Sequence, residues 1–299
     1  MDRRAFFGLL LAGVAVAAAE QVRSGAATAA GAAGAGPSRS VHLASGRGGP
    51  ALPLTTEAVE LPDPPPVDAA AAANPPSVVT LDAIPPPRPG SSTTIAHGPT
   101  GTGTIAITID DGFCESCATF YVSLAQASGI HLTLSPNGTY RKVWDPLAEG
   151  LRPLIATGQV QIANHTFNHY NLVGMSNAAA RDQINRNEDW IQTTFGITSR
   201  PWFRPPYGSH TPHTDALAGQ LGFTRILMWN GSFGDSTPIP PRQIMGLAAQ
   251  YLKPGPIMLG HANYTTIESL WDQIQAILTQ RGLRPVTLDE MFGTTRQLG

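Results

Sequence analysis

Between Phe7 and Phe113 the sequence contains no phenylalanine, tyrosine or tryptophan. Aromatic side chains supply much of the buried area of a core, so this stretch has no packed core of its own. Charge is also scarce, at 13% of 299 residues, chiefly because the first third is rich in Ala, Gly and Pro. With 19 Lys and Arg against 21 Asp and Glu, the formal net charge is −2. There is no basic stripe, which excludes a nucleic-acid-binding protein. Long apolar runs are missing too. The longest, Phe6 to Ala19, is too short for a comfortable membrane span, and no later segment could cross a bilayer. Cysteine is limited to Cys114 and Cys117.

The first residues, "MDRRAFFGLLLAGVAVAAAE", place two arginines before that apolar run and end it in three alanines. Residues 1–19 therefore read as a signal peptide, with Arg3-Arg4 before Phe6-Phe7 pointing to twin-arginine export. An ordinary secretory signal is the alternative. Either one directs the chain to a periplasmic, cell-wall-associated or extracellular location. Residues 20–92 carry "PDPPP" (Pro62–Pro66), "AAAAANPP" (Ala69–Pro76) and "IPPPRPG" (Ile84–Gly90). Proline clusters favour polyproline II and exclude helix or central strand, so this segment reads as an extended, disordered tether. A small β module around "PSVVTLDAI" would have too few apolar residues.

Residues 93–299 have a different texture. "TIAITID" (Thr104–Asp110) is a buried-strand run, and "IHLTLS", "QVQIAN", "WFRPP", "TRILMWN" and "GPIMLGH" are further strands. Helices are expected in "FYVSLAQASG" up to Gly129, "DPLAEGLRPLIATG" up to Gly158 and "SNAAARDQINRNEDWIQTTFG" from an N-cap serine to Gly196. "TTIESLWDQIQAILTQRG" reads as one helix, and "LRPVTLDEMF" closes the domain. Strand–helix alternation predicts a parallel α/β fold. A closed β/α barrel is favoured over an open sheet, because chemically suggestive residues sit at the C-terminal ends of many strands.

Those ends carry Asp110-Asp111, His165 and His169, Arg204 to Tyr207, Asp235, and Leu259-Gly260-His261. Singly, each has a bland reading: a turn, a helix cap, a stiff loop, a satisfied buried histidine. Jointly and in this order they describe a metal hydrolase. Two imidazoles four residues apart converge on one ion, and a carboxylate completes a three-ligand site with a position open for water. A second carboxylate serves as base towards that water, and a histidine protonates the leaving group.

In this motif set the chain resembles the polysaccharide deacetylases, a carbohydrate esterase family built on the chito-oligosaccharide deacetylase homology domain. The resemblance implies an irregular (β/α) barrel of about seven strands and hydrolysis of N- or O-acetyl groups on a peptidoglycan- or chitin-like glycan. "TIDDG" (Thr108–Gly112) matches T-F-D-D-G, which implies Asp110 as catalytic base and Asp111 as metal ligand. "HTFNH" matches H-[ST]-x-x-H and implies His165 and His169 as ligands of one divalent ion, zinc first, with cobalt, nickel or manganese as alternatives. "RPPY" implies Arg204 pairing with acids and Tyr207 helping to bind the oxyanion. "LGH" implies Leu259 at the acetyl-methyl pocket and His261 as acid. The chain departs at D-x-x-D-W, where Asp235 is kept to engage Arg204 or orient His261, but Ser232 and Ser236 replace the first Asp and the Trp. Cys114 and Cys117 lie outside the family pattern. In an exported protein they most simply form a local disulfide, with a redox-active pair or metal-ligating thiolates as the other readings. Competing functions are amide hydrolysis of a non-sugar substrate and a glycan-binding wall protein without turnover. The sequence does not speak to oligomeric state.

Overall fold

The computed structural model describes residue 84 and residues 86–294. The expected signal at 1–19 and residues 20–83 of the tether lie outside the described residues. No helix among the described residues is long and apolar enough to cross a membrane.

The element on which the site is built is β2, Thr104–Asp111, buried along its whole length. It is flanked on both edges, so it reads as a near-continuous run of Ile, Ala and Thr. Alternate side chains leave a strand on opposite faces. Ile105, Ile107 and Ile109 enter the large apolar cluster shared with the surrounding helices, whereas Ala106 joins a separate inner cluster. The inner parity continues to Thr108 and Asp110, so the strand's own alternation delivers a carboxylate to the interior at its C-terminal end. Ile257–His261 (β8) pairs with it in parallel, with Ala106 opposite Ile257, Thr108 opposite Leu259 and Asp110 opposite His261.

The remaining strands are β1 (Thr93–Ile95), β3 (Leu132–Pro136), β4 (Val160–Ile162), β5 (Trp202–Phe203), β6 (Arg225–Leu227), β7 (Gly231–Ser232) and β9 (Arg284–Val286). One sheet has the order β4-β3-β2-β8-β7, with β9 also on β2, and a second has β1-β6-β5. Every ladder between these strands is parallel. Isolated bridges, Asn164 with Phe203 and His97 with Pro256, link the two sheets. The closed barrel expected from the sequence does not appear as one continuous ladder: among the described residues the two sheets are joined by these two bridges, and His97 meets the start of β8 rather than the edge strand β7. The resemblance implies about seven strands and nine are present among the described residues; β1 and β7, three and two residues long, are the ones not read from the sequence.

The helices are α1 (Glu115–Ser128), α2 (Arg141–Trp144), α3 (Ala148–Thr157), α4 (Asn177–Phe195), α5 (Pro212–Gln220), α6 (Pro241–Tyr251), α7 (Trp271–Gln280) and α8 (Leu288–Phe292). The punctuation read from sequence is where it was expected. Gly129, Gly158 and Gly196 close α1, α3 and α4 in the left-handed region, and the Ser176 hydroxyl caps α4 by accepting from Ala179 N–H. The single helix expected over "TTIESLWDQIQAILTQ" is instead a 3₁₀ segment, Thr265–Leu270, followed by α7. Ordered contacts begin before Thr93: Gly90 N–H donates to Gly219 C=O, and Ser92 Oγ to Asp215 C=O.

Three fully buried asparagines tie the strand ends to α4. Asn187 accepts from Gly138 N–H at 2.7 Å and donates to Pro136 C=O at 3.1 Å. Asn164 accepts from Thr166 N–H and donates to Ile184 C=O, while Asn137 donates to the carbonyls of His165 and Thr166. Asn187→Ala would leave two buried backbone groups unpaired, at about 1–3 kcal/mol each. The expected outcome is a fall in Tm of roughly 5–15 °C for a domain of this size, read by calorimetry. An unchanged Tm would mean that α4 is not needed to hold these loops.

Candidate active site

β2 does not end in a regular residue. Asp111 has φ +68°, and Gly112 follows at φ +106°. A Cβ at Gly112 would come within 2.3 Å of the Trp144 indole, which donates Nε1–H to Asp111 C=O at 3.0 Å. Only glycine fits there, and the tight turn swings Asp111 out of strand parity so that both acids reach the same end of the sheet.

Asp111 Oδ1 stands 3.3 Å from His169 Nε2 and 3.5 Å from His165 Nε2. These three ligand atoms lie within 4.8 Å of one another, the one such group of His, Cys, Asp or Glu found among the described residues. The donor chemistry fits a divalent ion. His165 Nδ1 is 2.7 Å from Arg204 C=O, which can only accept, so the proton sits on Nδ1 and Nε2 offers its lone pair. Asp111 Oδ1 is buried with no hydrogen-bond partner. Burial by itself pushes the Asp111 carboxyl up, but His165, His169 and His261 outweigh it and hold it well below the usual carboxylate range. Burial, then the neighbouring His165, brings His169 down to about 4, so it is neutral near pH 7.

Asp110 faces the same space from the inner parity. Its Oδ2 lies 3.4 Å from Arg204 Nη1 and 3.7 Å from His165 Nε2, while Oδ1 is buried without a hydrogen-bond partner. Arg204, fully buried, also donates Nη2–H to Thr108 Oγ1 at 2.8 Å and lies 5.5 Å from the Trp229 ring centre. The other partner open to Asp235 is the one realised. Asp235 Oδ1 accepts from His261 Nδ1 at 3.0 Å, and its Oδ2 accepts the His261 backbone N–H at 3.0 Å. Burial works to lower the His261 pKa; the Asp235 hydrogen bond and charge override it and raise it to about 9. Leu259 is buried on β8 two residues before His261, its parity turned inward with it. Tyr207 sits at φ +60°, exposed, with its ring edge-on to His169 at 4.5 Å. Ser232 Oγ accepts from Gly234 N–H, and Ser236 is exposed. Cys114 and Cys117 are joined in a disulfide at the start of α1.

Sequence reasoning missed Asn263. Its Nδ2 donates to Asp111 Oδ2 at 2.8 Å and its Oδ1 accepts Gly112 N–H at 3.2 Å. By occupying one carboxylate oxygen it leaves Oδ1 for the histidine side. The only signal was its place two residues after His261. Asn263→Ala is expected to weaken zinc retention by roughly 10–100-fold against a competing chelator, measured on protein without substrate. Unchanged affinity would show that Asp111 needs no such support.

Residues 97–226 match the polysaccharide deacetylase family model. A peptidoglycan-N-acetylglucosamine deacetylase of Bacillus cereus is 28% identical over 141 residues, covering 46% of this chain and 50% of the relative. The chain thus spans about half the length of that curated relative. A solved peptidoglycan N-acetylglucosamine deacetylase in complex with an N-oxidanyl-benzamide superposes with a TM-score of 0.60 at 22% identity, covering 68% of this chain and 94% of that one. A pseudoenzyme of the same carbohydrate esterase family from Bacillus anthracis gives 0.59 at 19% identity, over 67% and 69% of the two chains. The α/β fold is the one these structures share, and residues 97–226 of this chain are similar to the polysaccharide deacetylases.

Proposed function

We propose that the protein is a metal-dependent deacetylase that removes N- or O-acetyl groups from an acetylated cell-wall or extracellular glycan, peptidoglycan or chitin-like. One observation carries this: an Asp–His–His cluster with an unpartnered buried oxygen gathers at the strand ends where a second carboxylate, Asp110, lies opposite a histidine held protonated, His261. Asp111, His165 and His169 would hold the ion, zinc first by the mixture of imidazole and carboxylate donors. Once bound, it would polarise the acetyl carbonyl and acidify a water.

The other roles belong to the chain's own groups. Asp110 Oδ1 accepts the proton of the attacking water, while Arg204 and Thr108 keep Oδ2 and the guanidinium in place. His261 gives its proton to the departing amine or alkoxide. The Tyr207 backbone N–H donates to the developing oxyanion, and Leu259 faces the acetyl methyl. Export to the periplasm, wall or exterior by the N-terminal signal belongs to the same proposal, as does a tether from residue 20 up to the ordered contacts that begin at Gly90.

Acetate release from a panel of acetylated glycans and non-sugar amides tests the reading. Release from amides alone would replace the substrate class, and release from nothing, with glycan retention intact, would make the chain a binder. Retention of Asp110 argues against the last, since binding needs no base. In Asp110→Asn, turnover should fall by about 10²–10⁴-fold while metal content, read by elemental analysis, is kept. The acid must be protonated to work. Wild-type rate should therefore decline as pH rises through about 9, and His261→Ala should be slow and lack that alkaline limb. A limb that persists in His261→Ala would assign the acid to another group.

A further inference from the structure

Among the described residues the exposed large hydrophobic side chains are Phe113, Tyr170, Val173 and Tyr207. Phe113 is the unusual one. It stands two residues after Asp111, is 45% exposed, and is held where a free surface phenylalanine would fold away. On its N-terminal side Gly112 N–H is bonded to Asn263 Oδ1. On its C-terminal side Cys114 N–H donates to Ala262 C=O, and the Cys114–Cys117 disulfide fixes the start of α1. The ring itself meets Tyr264 at 5.5 Å with planes at 87°, and Tyr140 at 6.0 Å with planes at 62°. Three separate loops, after β2, β3 and β8, therefore combine to present one apolar ring to solvent at the mouth of the site.

We infer that Phe113, braced by Tyr140 and Tyr264, is a stacking surface for a pyranose ring adjoining the sugar that carries the acetyl group. This deepens the deacetylase reading and rests on it. A pyranose has an apolar C–H face, and an exposed aromatic ring held in place by its neighbours offers the complement to it. The loop after β7, where the family pattern has a Trp, here has the exposed Ser236. An aromatic wall is thus built, but from the other loops.

Binding of chitotetraose, measured by calorimetry in the zinc-loaded Asp110→Asn protein, tests this without turnover. Adding Phe113→Ala should weaken affinity by roughly tenfold, the scale of one stacking contact, and Phe113→Trp should restore it. The loss should be larger for chitotetraose than for N-acetylglucosamine alone. Equal losses for the two sugars, no loss, or no measurable binding before the Phe113 change would each overturn the assignment. Because binding is read in a variant with its base removed, the result stands apart from acetate release. Absence of release by the wild type would sink the deacetylase reading, while a Phe113-dependent affinity would still place the sugar surface.

Discussion

Two adjacent carboxylates are withdrawn from water at the end of one strand, and much of the surrounding structure consists of the groups that make this tolerable. Taking an ion out of water costs several kcal/mol even after relaxation. Asp110 is offset by the buried guanidinium of Arg204, itself a charge that could not be buried without Asp110 and the Thr108 hydroxyl. Asp111 is held by the Asn263 amide at Oδ2, while its Oδ1 stands 3.3 Å and 3.5 Å from the two imidazoles that would share an ion with it. In each acid one oxygen is satisfied by the protein and the other, Oδ1, is left without a hydrogen-bond partner. The two unspent oxygens are the ones assigned to the ion and to the water.

The backbone carries a matching cost. The non-glycine residues at positive φ among those described are Asp111, Thr166, His169 and Tyr207. All four lie in the loops around the acids, where such conformations cost roughly 1–2 kcal/mol each. They persist because buried hydrogen bonds overdetermine the loops: Trp144 on Asp111 C=O, Asn137 on the carbonyls of His165 and Thr166, Asn164 on Thr166 N–H. Strand parity alone would send Asp111 to the helix side of β2. Strain at one residue, supported by a tryptophan and excluding any side chain at Gly112, turns it back.

What could be read from the sequence follows from the same physics. β2, the glycine caps of α1, α3 and α4, and the order of motifs at strand ends were legible because each has a local signature. α5 and α6 were not. α5 begins with the recognisable Thr211-Pro212 start, yet its nine residues are too polar to show a helical stripe. Asn137, Asn164, Asn187 and Asn263 were invisible as site residues, since a buried asparagine matters through partners far apart in sequence and has no periodicity of its own. Asp235 was legible as a site residue but not in its choice of partner, because Arg204 and His261 are equally remote along the chain.

Arg204 joins the two halves of the site. Its carbonyl fixes the tautomer of His165, its guanidinium holds Asp110, and its N–H is bonded to Asn164 C=O. Ser232 and Ser236 take no part in that network: the first caps Gly234 N–H and the second is exposed. The departure from the family pattern therefore falls on groups that touch none of the acids, imidazoles or guanidinium used for the proposed reaction. Asp235, between them, is kept and holds His261 through two hydrogen bonds. Within one short loop, the residue that holds His261 and the residues that depart from the family pattern are thus separate side chains. The rim can lose an aromatic after β7 and present another after β2 without disturbing the charges that pay for the buried acids.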